Sequence, residues 1–155
     1  MIEIELSVNG RRRQVRIEPR ETLAEVLRER LSLTGTKVSC DAQVCGACTV
    51  LVDDLPVSAC TYLAVDADER TVRTVEGLAG QAGLSALQQA FIDHAAFQCG
   101  FCTPGMLMAA TALLEENPSP SREEVVRGLE GNLCRCTGYA PIIEAVLDAA
   151  GRGPR

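Results

Sequence analysis

The sequence predicts an α+β fold, in which a small sheet-forming domain precedes a small helical domain. Alternation of apolar and polar residues, which is typical of strands, is confined to the first half of the 155 residues. Helix-capping patterns and apolar residues three or four positions apart dominate the second half. The eight cysteines also divide into two sets of four, one in each half. We therefore predict two domains, over residues 1–76 and 77–155.

The first domain is predicted to begin with a hairpin and a helix. Residues 2–8 alternate between apolar and polar, as in a strand with one buried face. Asn9-Gly10 predicts a tight turn, and residues 14–17 form the return strand. Thr22 and Glu25 make a capping box that starts an α-helix. A hairpin crossed by a helix is the beginning of a β-grasp domain.

Three more strands are predicted after the first group of cysteines. Thr49–Val52 and Leu55–Ser58 read as a second hairpin, because an Asp-Asp turn separates two short apolar runs. Thr71–Val75 reads as the last strand, which we expect at an edge of the sheet.

Four helices are predicted after a linker that contains three closely spaced glycines. Two of them start with capping boxes. These boxes are Ser85 with Gln88, and Ser121 with Glu124. Thr103 is predicted as the N-cap of another helix with Pro104 as its first residue, and Pro141 opens the last helix. The second domain is therefore predicted to be a four-helix domain with its cysteines in the loops.

Composition excludes several functional classes. The net charge of −6 argues against a nucleic-acid partner, which requires a basic face. No apolar run approaches the ~20 residues of a membrane span. The first residues carry Glu3 and Glu5 where a signal peptide has a basic start, so we predict a cytoplasmic protein. Thiols stay reduced in the cytoplasm, and eight cysteines therefore favour metal binding over disulfides.

The first set of cysteines has the spacing of a plant-type [2Fe–2S] ferredoxin. Its members are Cys40, Cys45, Cys48 and Cys60, spaced C-x4-C-x2-C-x11-C. A structural zinc site is the alternative, because four thiolates also suit tetrahedral zinc. The surrounding strands match a ferredoxin domain, so we favour the cluster.

The second set is less specific by spacing alone. It consists of Cys99, Cys102, Cys134 and Cys136, spaced C-x2-C-x31-C-x1-C. This pattern suits zinc or an iron–sulfur cluster about equally. His94 is the single histidine, which excludes a Rieske centre because that centre needs two.

No nucleophile–base pair and no phosphate-binding glycine loop is evident. Substrate chemistry is therefore expected on another chain, and this chain is predicted to move electrons.

Three motifs resemble the iron–sulfur subunit of the xanthine oxidase family of molybdenum hydroxylases. They are CDAQVCGACTV at residues 40–50, QCGFCTPGM at 98–106 and GNLCRCTGY at 131–139. The resemblance extends from Ile2 to Ala149. One departure is that Ser39 and Gln43 stand where many members have glycine, so we expect the first loop to differ slightly in shape.

The resemblance implies a role for each cysteine. The first set would bind a [2Fe–2S] cluster in a β-grasp domain, and the second set would bind another in a four-helix domain. Gln98 and Cys136 would approach the molybdopterin of a large partner subunit. Electrons would pass from molybdenum through the helical-domain cluster to the ferredoxin-like one, and then to FAD on a medium subunit.

These implications lead to a prediction with two alternatives. We expect the small electron-transfer subunit of a molybdenum-containing hydroxylase or dehydrogenase. One alternative is a freely diffusing ferredoxin-type carrier, and the other is a zinc-stabilised adaptor without redox function.

Overall fold

The computed structural model describes residues 1–152 and has an α+β architecture. The predicted helical domain extends to residue 155, so residues 153–155 of that prediction lie outside the described part. The strands are β1 (Ile2–Val8), β2 (Arg11–Ile17), β3 (Thr49–Val52), β4 (Leu55–Ser58) and β5 (Thr71–Arg73). The α-helices are α1 (Leu23–Glu25), α2 (Ala86–Asp93), α3 (Thr103–Glu116), α4 (Arg122–Gly128) and α5 (Ala140–Arg152).

The five strands form one mixed sheet in the order β2-β1-β5-β3-β4. Both predicted hairpins are confirmed, since β1 pairs with β2 and β3 pairs with β4 in antiparallel fashion. The period-two pattern of β1 buries Ile4, Leu6 and Val8 against Val15 and Ile17 of β2. These residues form the core of the first domain together with the helix that follows.

The prediction that the last strand lies at an edge is wrong. β5 lies in the centre of the sheet, where Ser7 and Val8 pair with it in parallel and Leu51 pairs with it in antiparallel fashion. The strand has three residues and only Val72 is buried. A single inward-facing residue looks the same in a short central strand as in an edge strand, so the sequence did not distinguish the two positions.

The first helix is shorter than expected and changes type. The capping box between Thr22 and Glu25 is present, which confirms where the helix begins. After Glu25 the chain continues as a π-helical turn, Val26–Arg30, in which the N–H of Leu31 donates to the Val26 carbonyl at 3.0 Å. Leu27 remains fully buried in this turn, so the apolar face is preserved.

The second half is helical, as predicted, and two of its helices begin with the expected capping boxes. Helix α3 starts one residue earlier than expected, because Thr103 is its first residue and Cys102 its N-cap. Helices α2, α3, α4 and α5 enclose a separate core that includes Phe91, Met106 and Ile142. None of the helices in residues 1–152 is long and apolar enough to cross a membrane.

The two halves contact each other along strand β3 and helix α3. An ion pair reinforces this contact, since the guanidinium of Arg73 in β5 donates to both carboxylate oxygens of Glu115 in α3 at 2.9 and 2.5 Å. The same contact brings the loops that carry the two sets of cysteines together. The domain boundary between residues 76 and 77 stays a prediction.

Candidate iron–sulfur centres

The first cysteine loop surrounds a sulfur with backbone N–H groups. The N–H groups of Ala42, Val44 and Cys45 lie 3.4, 3.3 and 3.4 Å from the Sγ of Cys40. This arrangement requires left-handed backbone at alternate positions, including Gln43 with φ of +57°. Such a conformation favours glycine, which accounts for the glycine that many family members carry at this position. In this chain glutamine adopts the left-handed conformation.

The thiols of the first set lie in pairs. Cys40 and Cys45 are side-chain neighbours, as are Cys48 and Cys60. The N–H of Cys60 donates to the Sγ of Cys48 at 3.4 Å, and the N–H of Ala47 donates to the Sγ of Cys45 at 3.5 Å. Cys48 and Cys60 are buried, whereas Cys40 and Cys45 are partly exposed.

The thiols of the second set also lie in pairs, contributed by two separate loops. The Sγ atoms of Cys99 and Cys136 are 3.6 Å apart on the surface. Cys102 and Cys134 lie deeper and are neighbours of each other. The hydroxyl and the N–H of Thr137 lie 3.1 and 3.5 Å from the Sγ of Cys134.

The thiol pKa values reflect these surroundings. The N–H of Cys45, followed by those of Val44 and Ala42, lowers the pKa of Cys40 to about 6. Burial raises the pKa of Cys48 and of Cys102 to about 12. N–H donors stabilise a thiolate, and a bound metal removes the thiol proton outright even where burial opposes ionisation.

The donor set fits a two-iron cluster. A [2Fe–2S] cluster needs four thiolates divided between two irons, and hydrogen bonds to its sulfurs tune its potential. Paired thiols with N–H groups directed at them meet both requirements.

Comparisons with known proteins cover both halves of the chain. A family model described as "2Fe-2S iron-sulfur cluster binding domain" matches residues 6–79, and a model described as "[2Fe-2S] binding domain" matches residues 74–147. The nicotine 6-hydroxylase small subunit of Paenarthrobacter nicotinovorans is 58% identical over 151 residues, which cover 97% of this chain and 91% of that subunit.

Solved structures agree in fold and sequence. A chain of quinoline 2-oxidoreductase from Pseudomonas putida 86 superimposes with a TM-score of 0.93 at 50% identity, covering 99% of this chain and 98% of that one. The aldehyde oxidoreductase of Desulfovibrio desulfuricans ATCC 27774 gives a TM-score of 0.95 at 46% identity. There the match covers 98% of this chain but 17% of the longer chain.

The chain belongs to the iron–sulfur subunits of the xanthine oxidase family of molybdenum hydroxylases.

Membership confirms the predicted family, the α+β fold, the two [2Fe–2S]-binding domains and the role as electron-transfer subunit of an oxidoreductase. The alternatives of a diffusible ferredoxin and a zinc adaptor are not favoured, because the relatives are subunits of larger enzymes. A large molybdopterin-binding subunit is accordingly the expected partner of this iron–sulfur subunit.

Gln98 and Cys136 lie on the same exposed side of the iron–sulfur subunit. Gln98 is exposed directly before Cys99, and Cys136 touches Cys99 through its sulfur. The apolar rings of Phe97 and Phe101 are 42% and 45% exposed beside them. An exposed pair of sulfurs with apolar side chains around it suits contact with a partner. The roles of Gln98 and Cys136 stay predictions.

The two cysteine loops meet at a junction that no pattern in the sequence indicated. The side-chain amide of Asn132 donates to the carbonyl of Gly46 at 2.9 Å, and the N–H of Leu133 donates to the carbonyl of Cys45 at 2.8 Å. In the sequence, Asn132 stood out only as a member of the third motif, residues 131–139. Its partner is 86 residues away, so no local pattern could reveal this contact.

Proposed function

We propose that Cys40, Cys45, Cys48 and Cys60 bind one [2Fe–2S] cluster, and that Cys99, Cys102, Cys134 and Cys136 bind the second. The observation that carries this proposal is the pairing of thiols within each set, together with N–H groups directed at their sulfurs. The clusters supply one-electron redox chemistry. The chain supplies the thiolates, the hydrogen bonds that tune them and the spacing between the two centres.

We propose that the exposed pair Cys99 and Cys136 faces the large molybdopterin subunit, with Gln98 beside the pterin. The exposure of both sulfurs and of the flanking Phe97 and Phe101 supports this orientation. Burial of such apolar side chains against a partner is favourable, by about 25 cal/mol per Å². The partly exposed loop at Cys40 is then left for a medium subunit that carries FAD.

We propose further that the assembly oxidises a nitrogen heterocycle in the cytoplasm. Support for the substrate class comes from two similar proteins whose names specify nicotine and quinoline. No partner nucleic acid is expected, because the net charge is −6.

Isolation of the intact assembly from its host tests the proposal. Two clusters predict about four irons and four sulfides per small subunit, and a co-purifying large chain should contain molybdenum. A brown chain that purifies alone would instead indicate a diffusible carrier, and zinc without visible absorption would indicate an adaptor. Oxidation of N-heterocycles compared with aldehydes by the same preparation tests the substrate class.

Single-cysteine variants test the ligand sets. Cys102→Ser should remove the second cluster and leave the first, whereas Cys45→Ser should do the reverse. Cluster-specific electron paramagnetic resonance (EPR) signals and iron content report the outcome. Loss of both signals in each variant would contradict two independent ligand sets.

A further inference from the structure

A single backbone carbonyl joins the two cysteine loops. The carbonyl oxygen of Gly46, between the ligands of the first set, lies near three donors. Two belong to its own loop, the N–H and the hydroxyl of Thr49 at 3.1 and 2.7 Å. The third is the side-chain amide of Asn132 at 2.9 Å, two residues before Cys134. Asn132 therefore connects the loop of one set to the loop of the other.

The junction is buried and tightly packed. Asn132 and Thr49 are each 7% exposed, and the amide of Asn132 also donates to the Thr49 hydroxyl at 3.2 Å. A Cβ on Gly46 would lie 2.3 Å from the carbonyl oxygen of Gly131. A Cβ on Gly105 would lie 2.2 Å from the carbonyl oxygen of Gly46. Both segments that carry the cysteines of the second set are therefore packed closely against Gly46.

Such close packing limits how far the two cysteine loops can move relative to each other. Buried hydrogen bonds between close-packed backbones allow little movement, because interiors are packed as densely as organic crystals. Gly46 lies one residue from Cys45, and Asn132 two residues from Cys134. A shift at this contact therefore moves one ligand loop relative to the other.

We propose that Asn132 is a positioning residue that sets the distance and orientation between the two clusters and thereby the rate of electron transfer between them. This inference rests on the proposed ligand sets. Asn132 does not touch a sulfur in the described residues, and it acts through the Gly46 carbonyl.

Asn132→Leu in the intact assembly is the main test. Leucine keeps the branched shape but removes the donor, while Thr49 still satisfies the Gly46 carbonyl, so the cost in stability is small. Asn132→Ser, which is too short to reach Gly46, is the second variant. Asn117→Leu is the matched control, because the same exchange there lies outside the junction.

Three quantities are measured for each variant. They are the iron content, the EPR spectrum of the fully reduced protein and the rate of electron equilibration between the clusters. Two reduced clusters are both paramagnetic, and their magnetic splitting falls steeply with distance. We expect four irons in all variants. Asn132→Leu and Asn132→Ser should show a narrower magnetic splitting and slower equilibration between the clusters, whereas Asn117→Leu should show wild-type values.

Two results would overturn the proposal. One is an unchanged splitting and rate in both Asn132 variants. The other is loss of iron from both, which would mean that Asn132 retains a cluster instead of spacing two. Fewer than four irons in the wild-type protein would instead refute the ligand sets on which the proposal rests.

Discussion

Gly105→Ala tests the close contact between helix α3 and the first cysteine loop. Gly105 is buried in the first turn of α3, three residues after Cys102. An added Cβ would stand 2.2 Å from the carbonyl oxygen of Gly46 and 3.1 Å from the Cα of Ala47. Both neighbours are backbone, so no side chain can rotate away. One segment must move by about 1 Å to restore an ordinary contact.

Two opposite effects decide the sign of the change in stability. Alanine favours a helix over glycine by about 1 kcal/mol. Overpacking a well-packed interior costs about 1–3 kcal/mol, and the rigid backbone here places the cost at the upper end. We therefore expect Gly105→Ala to lower the free energy of unfolding by about 2 kcal/mol.

Gly151→Ala is the control, since it makes the same exchange in helix α5 where a Cβ would meet nothing within 4 Å. Urea unfolding followed by far-ultraviolet circular dichroism measures both variants. With an m-value of about 2 kcal/mol/M, the midpoint of Gly105→Ala should fall by about 1 M. The midpoint of Gly151→Ala should stay level or rise. Midpoints are compared because release of the clusters makes unfolding more than a two-state process.

A midpoint for Gly105→Ala equal to or above that of the wild type would refute the reasoning. It would mean that helix propensity outweighs the contact and that the loop at Gly46 yields easily. The junction would then be too soft to hold the two centres at a defined distance.

Three smaller perturbations probe other parts of the chain. Thr137→Val removes a hydroxyl beside the Sγ of Cys134, so the potential of the second cluster should fall by up to about 40 mV in an EPR-monitored redox titration while the first stays constant. Glu115→Gln weakens an exposed ion pair with strand β5 and should cost less than about 1 kcal/mol, with a smaller effect at high salt. Hydrogen bonding by Arg152 lowers the pKa of Asp148. The ionised carboxylate therefore stabilises the fold at pH values above its ordinary pKa, and this stabilisation is lost as the pH falls through the lowered pKa. The stability advantage of wild type over Asp148→Asn in urea should therefore shrink between about pH 5 and about pH 3.

The sequence predicted those parts of the fold that local patterns determine. Capping boxes marked the first residues of three helices, and period-two alternation marked β1. Each of these signals lies within a few residues and reflects hydrogen bonds or burial at that place. The central position of β5 depends on pairing with Ser7 and Leu51, which are distant in sequence. A pattern within the three residues of β5 could not reveal this central position.

The candidate site also has a part that local patterns predict and a part that they do not. The cysteine spacings predicted two sets of four thiols, because ligand spacing reflects local loop geometry. The junction of Gly46, Gly105 and Asn132 depends on close approach between backbones that belong to different domains. Two of these residues are glycines within recognised motifs, where the sequence cannot separate a requirement for turn geometry from a requirement for space. The positive φ of Gly46, at +72°, shows that both requirements apply to that residue.

The two ligand loops provide unequal numbers of hydrogen-bond donors to their sulfurs. In residues 1–152, five backbone N–H groups donate to the first set, three of them to Cys40. In the second set, the N–H of Thr137 donates to the Sγ of Cys134 and the Thr137 hydroxyl lies beside the same sulfur. The N–H groups of Cys136 and Cys99 act on Cys134 and Cys136 respectively, so the second set still has fewer donors than the first. Such donors stabilise the more negative, reduced state and raise the reduction potential. Water at the exposed Cys99 and Cys136 opposes this difference in the isolated chain, but the proposed docking of the large subunit there would exclude that water. We therefore predict that in the assembly a cluster held by the first set has the higher reduction potential, so that an electron entering at Cys99 and Cys136 would pass favourably towards the loop at Cys40.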